Sequence, residues 1–264
     1  MEINISNLAK STKLLPSKKL ISSRAFKIKK IGHDNKGFMD FHQENESPSL
    51  TGTAIDYMTR TFLLHDPNSY SLAVKAADIL GTKEQQFELK EDILKYKNLA
   101  SKADSINDLA NEAFYLILKI SAWEEAYRCG KYYPVNQEPT EQTIQHYKIM
   151  IARTANFFEQ FGQPIETGYL AYTDNKQVHG DGDYLLPQIL VDMKTSKKMI
   201  TADWVRQLLL YYVLLRSEKT NTDEIKKLMI FNPRYDQLAY VKIKNIDYNI
   251  LDFVLDQAEY VSKL

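Results

Sequence analysis

Two carboxylates and an amine, Asp183, Asp192 and Lys194, are the residues whose types and spacing best suit chemistry. They lie in His179-Gly180-Asp181-Gly182-Asp183-Tyr184-Leu185-Leu186-Pro187-Gln188-Ile189-Leu190-Val191-Asp192-Met193-Lys194. The β-rich runs Tyr184-Leu185-Leu186 and Ile189-Leu190-Val191 flank Pro187-Gln188, a spacing that predicts a hairpin of two short strands. A tight hairpin sets Asp183, entering the first strand, opposite Asp192, leaving the second. Side chains alternate along a strand, so Asp192 and Lys194 share a face while Met193 points to the other. Two carboxylates this close repel, and they persist together only if one keeps a proton or a cation sits between them. Oxygen ligands favour Mg²⁺ or Mn²⁺. An ammonium beside such a metal can position or deprotonate a water, or steady the charge growing on a phosphate. That is the apparatus of phosphodiester hydrolysis. An isolated Asp-x-Lys is ordinarily just a solvated pair on a surface hairpin, so its surroundings must decide.

Those surroundings carry a pattern. Gly180-x-x-Asp183 is followed by Leu190-Val191-Asp192-Met193-Lys194-Thr195 and then by Gln207-x-x-x-Tyr211. Order and spacing together resemble the PD-(D/E)XK nuclease superfamily, and within it the RecB-like exonuclease branch, over about residues 164–245. The resemblance implies a restriction-endonuclease-like core and a Mg²⁺- or Mn²⁺-dependent, exonuclease-like deoxyribonuclease. Asp183 and Asp192, helped by the carbonyl of Met193, would hold the metal. Lys194 would orient or activate the attacking water, and Gln207 and Tyr211 would hold Lys194 or the substrate strand. A weaker match, Gly52-Thr53-Ala54-Ile55-Asp56, resembles the Gly-x-x-x-His of the branch's first helix but puts Asp56 where the histidine would be. The superfamily often adds a helix-borne glutamate, for which Glu112, Glu124 and Glu125 are candidates, and the branch often shows an acid near the position of Glu166. His179, four residues before Asp183, is within reach of the same metal.

Other residues near the motif suit phosphate. Thr195-Ser196-Lys197-Lys198 supplies hydroxyls and positive charge directly after Lys194, and contacts of that kind position a nucleic-acid backbone without reading its sequence. Arg60, four residues after Asp56 on a helix, either forms an i,i+4 ion pair or forks onto a substrate phosphate.

The elements that must position these groups follow from periodicity. A basic arm spans residues 8–30, expected to be solvated and partly disordered or else to touch phosphates. A polar loop at 33–50 leads to a helix capped by Ser49 or Thr51, with Ala54, Ile55, Met58, Phe62 and Leu63 on its buried stripe. Helical text continues through Ser69 to Gly81, a polar stretch around 84–92, and a long pattern from Ser105 to Cys129 closed by Gly130. A further helix runs from Thr140 to Phe161. Ile165 to Tyr172 reads as one strand, with a turn at 173–176 before Val178 leads toward Asp183. A helix over Ala202–Arg216 carries Gln207 and Tyr211 on one side. Strands at 227–231 and 238–243, and a closing helix with Ile250, Leu251, Phe253, Val254 and Ala258, complete the chain. The order reads as α+β, a central mixed sheet flanked by helices with an α-helical N-terminal extension. The expected divisions are an arm and loop at 1–50, a helical region at 51–163 and the nuclease core at 164–264.

Composition excludes several classes. Lys+Arg and Asp+Glu both number 34, so no global basic field announces a nucleic-acid partner and any such surface must be local. The single Cys129 excludes an intrachain disulfide framework and a four-cysteine zinc or iron–sulfur site. No apolar run is long enough for a membrane span, and Met1-Glu2-Ile3-Asn4 does not begin as a signal peptide does, so a cytoplasmic protein without a membrane partner is expected. DNA is the expected partner, and oligomeric state stays open. A non-catalytic nucleic-acid-binding or assembly module with the same fold is the alternative. An enzyme acting on a small phosphorylated molecule ranks last, since the chain has no Gly-rich phosphate loop.

Overall fold

The computed structural model describes residues 2–218 and 224–264. Its elements are β1 (Ile3–Asn4), α1 (Ile5–Ala9), β2 (Lys27–Lys30), α2 (Pro48–Met58), α3 (Ser71–Leu80), α4 (Lys83–Ala100), α5 (Asn111–Cys129) and α6 (Glu141–Phe161). There follow β3 (Glu166–Thr167), β4 (Leu170–Tyr172), β5 (Val178–Asp181), β6 (Tyr184–Leu186), β7 (Ile189–Met193), α7 (Ala202–Glu218), β8 (Lys227–Asn232), β9 (Gln237–Lys242) and α8 (Tyr248–Ser262). The fold is α+β.

A mixed sheet in the order β2-β9-β8-β7-β6-β3 forms the centre, and a small sheet in the order β1-β5-β4 stands beside it. Among the described residues only β7 and β8 run parallel in the large sheet, and α7 lies between them in the chain. Alternation along the strands gives the sheet two apolar faces. Tyr184, Leu186, Val191 and Met193 join Met229 and Phe231 in a core shared with α2 to α6. Leu185, Leu190, Leu228 and Ile230 pack with α1, α7 and α8 on the other side.

The hairpin forms where expected, with Tyr184 facing Val191 and Leu186 facing Ile189. Pro187 supplies the turn, and Gln188 takes a left-handed φ of 65°. The expected single strand over 165–172 is instead two. Gly168, at φ 58°, breaks it, so β3 pairs with β6 in the large sheet and β4 with β5 in the small one. The partner strand breaks at the same level, at Gly182-Asp183, and cross-bonds hold the corner: Gly168 N–H donates to Asp183 O (2.9 Å) and Gly182 N–H to Tyr169 O (2.8 Å). Glycine is required there, because a Cβ on Gly182 would lie 2.0 Å from the buried Tyr169 ring. Asp183 thus stands where a β-ribbon bends from one sheet into the next.

Two further expectations change. The basic arm is not a solvated terminus: Ile5, Leu8, Leu15, Leu20 and Phe26 are buried against α7 and α8, and β2 pairs with β9. Lysines and apolar residues alternate irregularly there, which hid the core positions. The polar stretch after Gly81 is helical, as the reading of this region implied, and is started by a capping box between Thr82 and Gln85. Ser47, rather than Ser49 or Thr51, caps α2, with Pro48 in its first turn, and that helix ends in a π-helical turn over Thr59–Leu63.

Candidate active site

Asp183, Asp192 and Lys194 are neighbours. Asp192 and Lys194 end β7 on the face that α7 covers, and Asp183 reaches over from the head of β6. Its Oδ2 accepts the Met193 N–H at 2.6 Å, which locks the two strand ends together. The Lys194 ammonium lies 2.9 Å from Asp192 Oδ1 and 2.8 Å from Oδ2, and it also donates to Gln207 Oε1 at 3.2 Å. Asp192 is sealed at 2% exposure, whereas the Lys194 side chain is 21% open and Asp183 is half-buried. Any approach to the site is therefore over Lys194 and Asp183.

Lys194 is held from behind by a relay. An ammonium only donates, so Gln207 must turn its Oε1 toward it, and its Nε2 then donates to Ser6 Oγ (2.8 Å) and to the Tyr211 hydroxyl (3.4 Å). Tyr211 donates onward to the Asp181 carbonyl at 2.7 Å. Gln207 and Tyr211 sit one turn apart on α7, where the sequence placed them. Ser6 is new. Nothing in its surroundings marks it, because it reaches the site only through the pairing of β1 with β5, which seats Ile5 on Gly180.

The electrostatics are those of crowded charge. Burial first, and then the charges of Asp192 and Asp56, push the Asp183 carboxyl up to about 7, against the lowering pull of Lys194 and the Met193 N–H. Burial also raises Asp192, with Lys194 opposing it. Burial alone would depress Lys194, but Asp192 and Asp183 outweigh it and hold its ammonium above the usual lysine range.

The outer candidates separate. Asp56 accepts from the Tyr184 hydroxyl at 2.7 Å and pairs with Arg60 at 3.0 Å, so the i,i+4 ion pair is present. The Arg60 guanidinium packs on Gly168, where a Cβ would meet Nη1 at 2.8 Å, instead of standing free for a phosphate. Glu124, buried on α5 and paired with Arg128, lies within the field of Asp56 and Arg60, and burial raises its carboxyl. Glu112 is remote: it pairs with Lys95 and is half-exposed. Glu125 is partly covered, with Oε1 buried and without a hydrogen bond. Glu166 lies on the edge strand β3, and His179 stands in the small sheet beside Glu2 at 3.7 Å, away from the acids. Gly52 lets α2 approach the end of β7, since a Cβ there would lie 2.9 Å from Thr195 Oγ1. Lys197 is exposed.

Among the described residues no group of three or more His, Cys, Asp or Glu converges as a ready metal cage. The donors at this point are the two carboxylates and the backbone around Met193. Asp192 Oδ2 is buried yet accepts no well-formed hydrogen bond, because Lys194 aligns with Oδ1. Two raised acids, one of them with a buried oxygen met only by the Lys194 ammonium, suit a hard divalent cation that completes its shell with water and substrate oxygens, as Mg²⁺ does. Comparison of the chain with family models, curated proteins and solved structures returns no match. No helix among the described residues is long and apolar enough to cross a membrane.

Proposed function

We propose that this protein is a divalent-metal-dependent nuclease acting on DNA, exonuclease-like, of the RecB-like PD-(D/E)XK type. The observation that carries the reading is the meeting of Asp183, Asp192 and Lys194 at one bend of the sheet, with Lys194 Nζ 2.9 Å from Asp192 Oδ1. Asp183 and Asp192 would hold Mg²⁺ or Mn²⁺ beside the Met193 backbone. When bound, the cation supplies Lewis acidity to the scissile phosphate and an acidified water. Lys194 has three N–H donors; Asp192 and Gln207 take two, which leaves one for the attacking water or a phosphate oxygen. Gln207, steadied by Ser6 and Tyr211, fixes the direction of that third donor. Preorganised donors of this kind lower the barrier because they need no reorientation as charge develops.

The non-catalytic alternative draws on the same contact, since Lys194 already neutralises Asp192 without a cation. Linear and circular DNA, single- and double-stranded, incubated with Mg²⁺, Mn²⁺ or EDTA, separates the two. The expected result is metal-dependent loss of linear DNA, abolished in Asp192→Asn and slowed on the order of 10²–10⁴-fold in Lys194→Met. Wild-type protein inert on all substrates, or an Asp192→Asn protein cutting at the wild-type rate, rejects the nuclease reading.

A further inference from the structure

Two of the largest fully buried side chains are arginines, and both are spent on one surface loop. Arg153, 1% exposed, donates to both carboxylate oxygens of Asp34 (2.9 and 2.7 Å) and to the carbonyls of Gly37, Pro233 and Arg234. Arg234, 0% exposed, forks onto Glu44 at 2.5 and 2.7 Å and donates to the Met39 carbonyl and, at 3.1 Å, to the Thr195 carbonyl. The last bond ties the loop over residues 33–44 to the chain directly after Lys194. These buried bonds fix the backbone of the loop from which its outer side chains project.

Those side chains form a continuous strip of rings and cations. Phe38 stacks on Tyr235 with centroids 4.4 Å apart, and the Tyr235 hydroxyl donates to the Lys197 carbonyl at 2.7 Å. The Lys197 ammonium lies 5.6 Å over the Phe41 ring, which in turn packs on His42 at 4.0 Å. Lys197, Lys198 and His42 are exposed, and the three rings are half-exposed. Of the acids here, Asp34 and Glu44 hold the arginines, while Asp40 caps a short turn by accepting the His42 backbone N–H at 3.0 Å and keeps its charge. The exposed Lys36, Lys197 and Lys198 outnumber Asp40, so the outward charge is positive although the chain as a whole is neutral.

From this we infer that the strip Phe38–Tyr235–Lys197–Phe41–His42 is a binding track for single-stranded DNA, leading to the site at Asp183, Asp192 and Lys194. Flat half-open rings take unpaired bases, whose faces a duplex keeps stacked, while lysines follow the phosphates. Rigid presentation lowers the entropy cost of holding a flexible strand. The inference rests on the nuclease reading only for the direction of the track, and binding tests it without catalysis.

The experiment is fluorescence anisotropy of a labelled oligo(dT) single strand, and of a duplex of equal length, in EDTA, with wild-type, Phe41→Ala, Phe41→Tyr and Lys197→Ala proteins of checked thermal stability. The single strand binds more tightly than the duplex. Phe41→Ala raises its Kd about tenfold, and Phe41→Tyr, which keeps the ring, stays close to wild type. Lys197→Ala weakens binding and lowers the slope of log Kd against log salt by about 0.7, whereas Phe41→Ala leaves that slope unchanged. A preference for duplex, or single-strand affinity unmoved by both alanine variants, overturns the track. Metal-dependent cleavage with unmoved affinity leaves the nuclease reading standing while the track falls; track-dependent binding by a protein that never cleaves does the reverse.

Discussion

Asp183 is the side chain on which burial, neighbouring charge and the bend of the sheet all act. Its carboxyl stands at about 7 in the folded chain against an ordinary 3.8. Between those values the folded chain keeps a proton that the unfolded chain has released, so stability falls as pH rises through the window and is lowest above it. Asp183→Asn retains an oxygen for the Met193 N–H and removes the ionisation. In EDTA this variant is expected to melt above wild type at pH 8, with the gain gone at pH 4. Mg²⁺ at pH 8 should raise the wild-type Tm and leave the variant's unchanged. Thermal melts across pH with and without Mg²⁺ check this, and a gain independent of pH would refute the buried-acid account. Asp192 with Lys194, and Gln207 with Tyr211, were legible as two pairs because strand and helix periodicity fix which neighbours share a face; that the pairs meet was implied only by the resemblance to RecB-like nucleases. Ser6 was not legible, because a lone serine at position 6 acquires a role only when a distant strand pairs with its segment.

At the scale of elements, the site depends on how closely α2 crosses the end of β7. Gly52 sets that distance, with Thr195 Oγ1 occupying the space of its missing Cβ. Gly52→Ala is expected to destabilise by about 1–3 kcal/mol through overpacking. In a Thr195→Ala background the obstructing hydroxyl is gone, and the same change is expected to be stabilising by about 0.5–1 kcal/mol, the usual preference for alanine in a helix. Urea denaturation of the four proteins measures the coupling, and an equal cost in both backgrounds would show that Gly52 serves some other purpose. The chain showed helix α2 and the glycine in it, but not what the glycine faced. It also concealed the break of the expected 165–172 strand, since Gly168 in a β-rich run reads equally well as a bulge or a bend.

The whole molecule is tied together by buried charge as well as by its two apolar cores. Glu44, Arg234 and His146 form a cluster in which His146 Nδ1 lies 3.0 Å from Glu44 Oε1 and the Arg234 and Glu44 side chains are fully buried. Burial alone would raise Glu44, but hydrogen bonds from Arg234 and His146 hold it below the usual carboxylate range. Arg234→Met leaves a buried carboxylate without its strongest partner and is expected to cost about 3–5 kcal/mol in chemical denaturation. Adding Glu44→Gln should return most of that loss, because the stranded charge is then gone. A single Arg234→Met variant as stable as wild type would remove the cluster's claim to hold the loop over residues 33–44.

The sequence by itself determined what is local: the hairpin with its turn, the alternation that puts Asp192 and Lys194 on one face, most of the helices, and the α+β order. These follow from interactions between residues a few positions apart, whose geometry the backbone repeats impose. Tertiary structure alone decided what comes from far along the chain: the N-terminal segment that places Ser6 behind Gln207, the remoteness of Glu112 and His179, and the arginine-held loop beside Thr195. Which of many similar charged side chains meet depends on how whole layers pack, and packing is a sum of many small burial terms that no single stretch of residues reveals.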